Sequence, residues 1–111
     1  LLDFLEPAQQ VDLIIANLPY IPSDRIAYLD DSVKDHEPHL ALDGGPDGLR
    51  LIRALLLQAR SHLTQTGTIL LEIDYTHAET VRQEQADHWS IHTWQSSISQ
   101  CTFAQCWRHQ Q

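Results

Sequence analysis

Two apolar runs and one periodic stretch organise the chain. Val11 to Ala16 reads VDLIIA, an almost unbroken apolar run with β-branched residues. Such a run predicts a strand buried on both faces. It stops at Asn17-Leu18-Pro19-Tyr20, where Pro19 and Pro22 forbid a continuing ladder, so a loop leaves the strand's C-terminal end. Ser23 to Asp47 reads as loop, with a short helix around Ile26 to Asp31 and a turn at Asp43-Gly44-Gly45-Pro46. A loop of that length inside a compact domain is usually functional or mobile. Leu49 to Leu63 is the clearest helix: Leu49, Ile52, Leu55, Leu56, Ala59 and Leu63 fall on one face of a 3.6-residue period. Asp47 is its expected N-cap, and Gly67 ends the turn that follows. Thr68 to Ile73, TILLEI, is a second buried strand. Thr76 and Glu79 stand at capping-box spacing and start a second helix that runs to about Asp87. Trp89 to Trp94 and Thr102 to Trp107 are two further strands, joined by a polar turn around Ser96 to Gln100. That link is too short for a crossover helix and fits an antiparallel pair.

The order strand, loop, helix, strand, helix, strand, strand is an α/β pattern. The first two strands are expected to be parallel neighbours joined by a right-handed crossover through the helix from Leu49. The 111 residues suit one small domain and are short for a complete enzyme. They open on Leu1 inside what reads as an element, which predicts a fragment or a processed chain.

Composition narrows the partners. No apolar run approaches the 18 or so residues of a membrane span, and no signal peptide is recognisable. The formal net charge is -8, with seven basic residues against fifteen acidic ones. Duplex nucleic acid is held largely by Lys and Arg on phosphates, so this balance argues against a large nucleic-acid surface. Cys101 and Cys106 lack zinc-ligand spacing. On one strand they would face opposite ways, which predicts two thiols in a reducing cytoplasm. The seven histidines show no metal-ligand spacing either, and no metal site is expected.

The strongest candidate chemistry is Asn17-Leu18-Pro19-Tyr20. In open α/β sheets, ligands bind beyond the carboxyl ends of the strands. The Asn17 side-chain oxygen can accept a hydrogen bond, and the Leu18 carbonyl another, because Pro19 has no N–H with which to continue a ladder. Two acceptors on one side describe a pocket for an NH2 group. Tyr20 adds a flat face for a planar amide or base. The competing interpretation is a strand-ending turn with a buried tyrosine.

Those four residues resemble the Asn-Pro-Pro-Tyr motif of methyltransferases that act on amino groups conjugated to a planar system, glutamine amides or adenine. A second segment separates the two substrates. Glu37-Pro38-His39-Leu40-Ala41-Leu42-Asp43-Gly44-Gly45-Pro46-Asp47-Gly48-Leu49 resembles the stretch that follows the first motif in the HemK/PrmC family of protein-(glutamine) methyltransferases. Asp3-Phe4-Leu5-Glu6-Pro7 is similar to the family's segment before the strand, and Gly67 to Glu72, GTILLE, to its turn and following strand. The matches run in the family's order from about Leu1 to Thr80.

The resemblance implies the C-terminal part of a Rossmann-like class I S-adenosylmethionine-dependent methyltransferase fold, a mostly parallel sheet with an antiparallel C-terminal strand. Residues 1–111 would then be a partial catalytic domain. It implies S-adenosylmethionine as cofactor, with Asp3 and Phe4 near the adenine and Asn17 at the cofactor as well as the substrate. Asn17, Leu18, Pro19 and Tyr20 would be the catalytic and substrate-binding residues, with Glu37 at the substrate mouth. The substrate would be the glutamine of the Gly-Gly-Gln loop of a peptide-chain release factor, in the cytoplasm. The sequence departs from the family at Leu18, which stands for the usual first proline, and at Asp74, which stands for glycine. The final hairpin matches only by position. The family's glycine-rich cofactor loop is not among these residues, so little activity is expected of the chain alone. The edge of a truncated sheet would invite self-association. Two alternatives stand beside this: an adenine-N6 methyltransferase of DNA or RNA, and a non-catalytic α/β module that binds a protein partner.

Overall fold

A computed structural model describes residues 1–18 and 47–109. They form a four-stranded mixed sheet and two α-helices. Strand β1 is Val11–Ala16, helix α1 Arg50–His62, strand β2 Leu63–Ile73, helix α2 Ala78–Glu84, strand β3 Trp89–Gln95 and strand β4 Thr102–Arg108. A 3-10 turn, Tyr75–His77, leads into α2.

The sheet order is β1-β2-β4-β3. β1 and β2 pair in parallel, as a strand–helix–strand unit requires. β4 is antiparallel to both β2 and β3, so β1, β2 and β3 run one way and β4 alone runs against them. The hairpin was legible in the sequence. The insertion of β4 between β2 and β3 was not, because either strand of the hairpin could have lain against β2.

The helical period holds at every position. Leu49, Ile52, Leu55, Leu56, Ala59 and Leu63 are all buried. They meet Ile14 of β1, Ile69, Leu71 and Ile73 of β2, and Ala104 and Cys106 of β4, with Val81 of α2 and Trp89 of β3 completing the core. Arg108, late in β4, donates from Nη2 to the carbonyls of Arg60 at 2.8 Å and Leu63 at 2.5 Å. It thereby serves acceptors that the end of α1 leaves open.

Four local expectations are corrected. The first concerns β1. Only Ile14 is buried there, while Leu13 is 53% and Ile15 71% exposed. An apolar run is buried on both faces only when layers cover both. Among the described residues β1 is an edge strand, and the core lies on one face. The second concerns Gly67. The strand does not wait for a turn: Leu63, the helix C-cap, is already extended and pairs with Val11. Thr64 to Gly67 then lie opposite the single residue Asp12 before Thr68 pairs with Leu13. This irregularity is held by a hydrogen bond from Thr64 Oγ1 to Asp12 Oδ1 at 2.9 Å.

The third and fourth concern the caps. Asp47 is not the N-cap, which is Leu49. Asp47 Oδ1 instead accepts from the Leu49 N–H at 3.0 Å, closing a turn through Gly48, whose φ of 85° suits glycine. Thr76 does not cap α2. Asp74 caps the preceding 3-10 turn, accepting from the Thr76 N–H at 3.3 Å and from its hydroxyl, while Glu79 pairs with Arg82 at 2.5 Å. The cysteines are both free: Cys101 precedes β4, and Cys106 is buried within it, its thiol pushed up to about 12 by burial.

The loop from Ser23, the helix at Ile26 to Asp31 and the turn at Asp43 to Pro46 lie outside the described residues.

Candidate functional site

The site is built at the C-terminal ends of β1 and β2. Asn17 follows β1 directly and is exposed; Leu18 is half-buried and packs on the core. Pro19, Tyr20 and Glu37 lie outside the described residues. The strand registers set what surrounds Asn17. Ala16 pairs with Leu71, so continuing the register by one residue puts Asn17 beside Glu72. Glu72 pairs with Phe103, and Phe103 pairs with Trp94. Directly paired residues share a face. Asn17, Glu72, Phe103 and Trp94 therefore form one row across the sheet, on the face opposite the helices.

That row lines a cleft of about 330 Å³, closed on one side by Ile15 and Ala16. The Trp94 and Phe103 rings lie 5.7 Å apart and tilted by 33°. His92 stacks on Trp94, with centroids 5.7 Å apart. The half-buried Glu72 carboxylate has no hydrogen-bond or ion-pair partner among the described residues.

A second cleft, of about 410 Å³, adjoins the first along β1. It is lined by Phe4, Leu5, Leu13, Ile15, Ala16 and Leu18, among others. Its walls are aliphatic, and Phe4 presents an open aromatic ring that is 79% exposed. Asp3 lines neither cleft; its carboxylate stands 3.6 Å from the N-terminal amine. The structure thus places Phe4 and Asn17 in neighbouring clefts that share Ile15 and Ala16.

Arg53 ties Asp47, ahead of α1, to helix α2. Its Nη1 lies 2.7 Å from Asp47 Oδ2, and its Nε and Nη2 grip Glu84 of α2 at 2.6 and 2.9 Å. The Asp47 carboxyl is held below its ordinary value first by the Leu49 N–H and then by Arg53. The Glu84 carboxyl is lowered chiefly by Arg53, whose own value is raised chiefly by Glu84. All three groups are part exposed, so solvent screens them and the clamp contributes about 1 kcal/mol. Carboxyls with lowered folded-state values stabilise the fold above their unfolded values, and that contribution is lost as pH falls through the folded values. Arg53→Met is therefore expected to lower the urea midpoint at neutral pH. The gap from wild type should begin to shrink below the ordinary 3.8 of Asp47 and 4.5 of Glu84, and go on shrinking as pH falls through their lowered folded-state values. Denaturation curves at pH 7 and pH 2.5 check this, and a gap of equal size at both would remove the ionic account.

The sequence pointed to Asn17 and Phe4 but not to Glu72, Trp94 or Phe103. The signal was present in TILLEI: on a strand with Leu71 inward, Glu72 must face the other side. Trp94 and Phe103 required knowledge of the hairpin's register and of its place against β2.

No protein-family model matches the chain. Curated relatives do. The chain is 46% identical over 70 residues, 63% of its length, to a protein named release factor glutamine methyltransferase from Bradyrhizobium diazoefficiens. It is 44% identical over 77 residues, 69% of its length, to one from Gloeobacter violaceus, and 38% identical over 87 residues, 78% of its length, to one from Koribacter versatilis. The matched stretch spans 24%, 27% and 31% of those proteins. This similarity places the chain with the family of release factor glutamine methyltransferases, whose members it matches over part of their length.

Proposed function

We infer that the chain forms part of the catalytic domain of a Rossmann-like, class I S-adenosylmethionine-dependent methyltransferase. Its acceptor is the side-chain amide nitrogen of glutamine in the Gly-Gly-Gln segment of a release factor. The observation that carries this reading is Asn17, which stands at the carboxyl end of a parallel strand and lines a cleft that adjoins the one at Phe4. The sheet supports it too: a parallel β1–β2 pair, with β4 alone reversed beside it. The names of the relatives support the substrate.

The residues present fit half of the cofactor. The cleft at Phe4 offers a ring and aliphatic walls to a flat heterocycle, and Asp3, next to Phe4 in the chain and exposed, has a carboxylate that can accept from an exocyclic amine. When bound, S-adenosylmethionine supplies an electrophilic methyl group on a sulfonium. The rest is positioning by this chain. An amide nitrogen is a poor nucleophile because its lone pair is delocalised into the carbonyl. The Asn17 side-chain oxygen and the Leu18 carbonyl accept from its two N–H groups and hold it toward the neighbouring cleft. They favour the pyramidal nitrogen of the transition state over the flat ground state. No strong base is needed, since the nitrogen becomes acidic once alkylated.

None of the four glycines stands in the sequence pattern of a glycine-rich loop that follows a strand and opens a helix, the cradle expected for the methionine end. The isolated 111 residues are therefore expected to bind the cofactor weakly and to turn over slowly. Leu13 and Ile15, exposed on edge strand β1, give the isolated chain a surface for self-association. The test uses the whole protein with a release factor and with an adenine-containing duplex, followed by mass spectrometry of both. Methylation of the Gly-Gly-Gln glutamine is expected. Methyl-adenine with an unmodified release factor would overturn the reading.

A further inference from the structure

The Asn17 side chain can do its assigned work in only one of two orientations. A half-turn about its last side-chain bond exchanges the oxygen with the NH2 group. With the oxygen toward the substrate, Asn17 accepts from the substrate NH2. With its own NH2 there, two donors face each other and the site rejects the group it has to hold. An exposed asparagine in water takes up both orientations, so the correct one has to be selected by a neighbour.

The sheet supplies one candidate. Continued by one residue, the β1–β2 register sets Asn17 beside Glu72, and both line the same cleft on the face opposite the helices. Adjacent strands lie about 4.8 Å apart, which brings a glutamate carboxylate within reach of the asparagine NH2. Neither side chain has a hydrogen bond or ion pair among the described residues, so each is free to take the other. The cations of the surrounding elements are committed elsewhere. Arg53 of α1 holds Asp47 and Glu84, and Arg82 of α2 holds Glu79 and Thr93. Arg108 of β4 lies over the Trp89 ring and donates to the carbonyls of Arg60 and Leu63 on the helix side of the sheet. It is five residues along β4 from Phe103, the partner of Glu72, or roughly 17 Å. His92 of β3 shares the open face but belongs to the next row, with Gln105, and stacks on Trp94.

We propose that Glu72 is a positioning residue for the reaction. Its carboxylate accepts a hydrogen bond from the Asn17 side-chain NH2 and so turns the Asn17 oxygen toward the substrate amide. This rests on the role assigned to Asn17 above. An ionised carboxylate has no donor, so it can take the NH2 end of the asparagine and not the oxygen end. The bond is charge-assisted, which makes it stronger than one between neutral groups. Leu70, Phe103 and Trp94 wall the carboxylate and limit the water that would compete for it. Glu72 does not touch the reacting nitrogen in this arrangement. It acts through Asn17 alone.

The test is single-turnover methylation by the whole protein at saturating cofactor and release factor, with cofactor affinity measured separately. Glu72→Ala is expected to lower the rate by roughly 10- to 100-fold, the worth of one hydrogen bond to a charged group, and to leave cofactor affinity unchanged. In an Asn17→Ala background the same change should alter the rate by less than about twofold, because no amide remains to be oriented. An exchange of groups supplies the second arm. Asn17→Asp sets two carboxylates side by side with no donor between them. Adding Glu72→Gln returns one NH2 facing one carboxylate, and the rate of Asn17→Asp should rise by about tenfold or more. A wild-type rate for Glu72→Ala, an equal fold-loss with and without the Asn17 amide, or no rescue of Asn17→Asp by Glu72→Gln would each overturn the proposal. The exchange conserves side-chain size, so it decides the matter even where Glu72→Ala fails to fold. A wild-type rate for Asn17→Ala would instead remove the role of Asn17 itself, and that shows before any Glu72 variant is made.

Discussion

Asn17→Ala in the whole protein is expected to lower single-turnover methylation of the Gly-Gly-Gln glutamine by about 10²–10³-fold, the usual worth of one preorganised hydrogen-bonding group at a reacting centre. The side chain is exposed just beyond β1 and lies at the start of the Asn17–Glu72 row, so its removal leaves the core untouched. Cofactor affinity should change much less. The adenine end is assigned to the cleft at Phe4, which Asn17 does not line. The neighbouring substitution Leu18→Pro makes the opposite forecast. It keeps the backbone carbonyl and changes the rate little. Leu18 is half-buried against the core, so its replacement costs about 1 kcal/mol of stability through lost apolar contact. The pair of variants separates function from packing: one loses rate and keeps stability, the other keeps rate and loses some stability. An Asn17→Ala enzyme that methylates at the wild-type rate would make the strand-ending turn the better account of the tetrapeptide.

How far the sequence could be read depended on which interactions were local. The period of α1 was legible because six apolar positions on one face allow little else, and all six are buried. The parallel β1–β2 pair followed from a helix between two apolar runs. The caps were misread because capping depends on the path by which the chain arrives. Asp47 is two residues ahead of the N-cap Leu49 and bonded to Leu49 and Arg53, and Asp74 displaced Thr76 because a 3-10 turn intervenes. The exposure of Leu13 and Ile15 was illegible for a different reason. A sequence records that a residue is apolar, not whether a second layer lies over it. The same limit hid Glu72, Phe103 and Trp94, which are 9 to 31 positions apart and meet only through the β2–β4–β3 order. The motif proposed to carry the chemistry was local, and the wall beside Asn17 was not.

Gly67→Ala is expected to destabilise the chain by about 1–3 kcal/mol, the range for forcing one methyl into a packed site. A Cβ on Gly67 would stand 2.6 Å from both Cγ and Cδ1 of Leu63 and 3.0 Å from Thr64 Oγ1. Leu63 cannot swing aside: it is fully buried, closes α1 and begins β2 at once. The crowding is a product of the irregularity in β2, where four residues lie opposite Asp12 and the chain turns back over the leucine. Leu63→Ala alone should cost about 2–5 kcal/mol, the range for emptying a buried leucine site. The combination decides the cause. If the clash with Leu63 is what destabilises Gly67→Ala, removing the leucine side chain makes room for the new methyl. The double variant then falls short of the summed losses by 1 kcal/mol or more, a coupling expected only between residues in contact. Urea denaturation of the wild type and the three variants supplies the cycle. Additive losses within about 0.5 kcal/mol would show that the clash with Leu63 is not what destabilises Gly67→Ala.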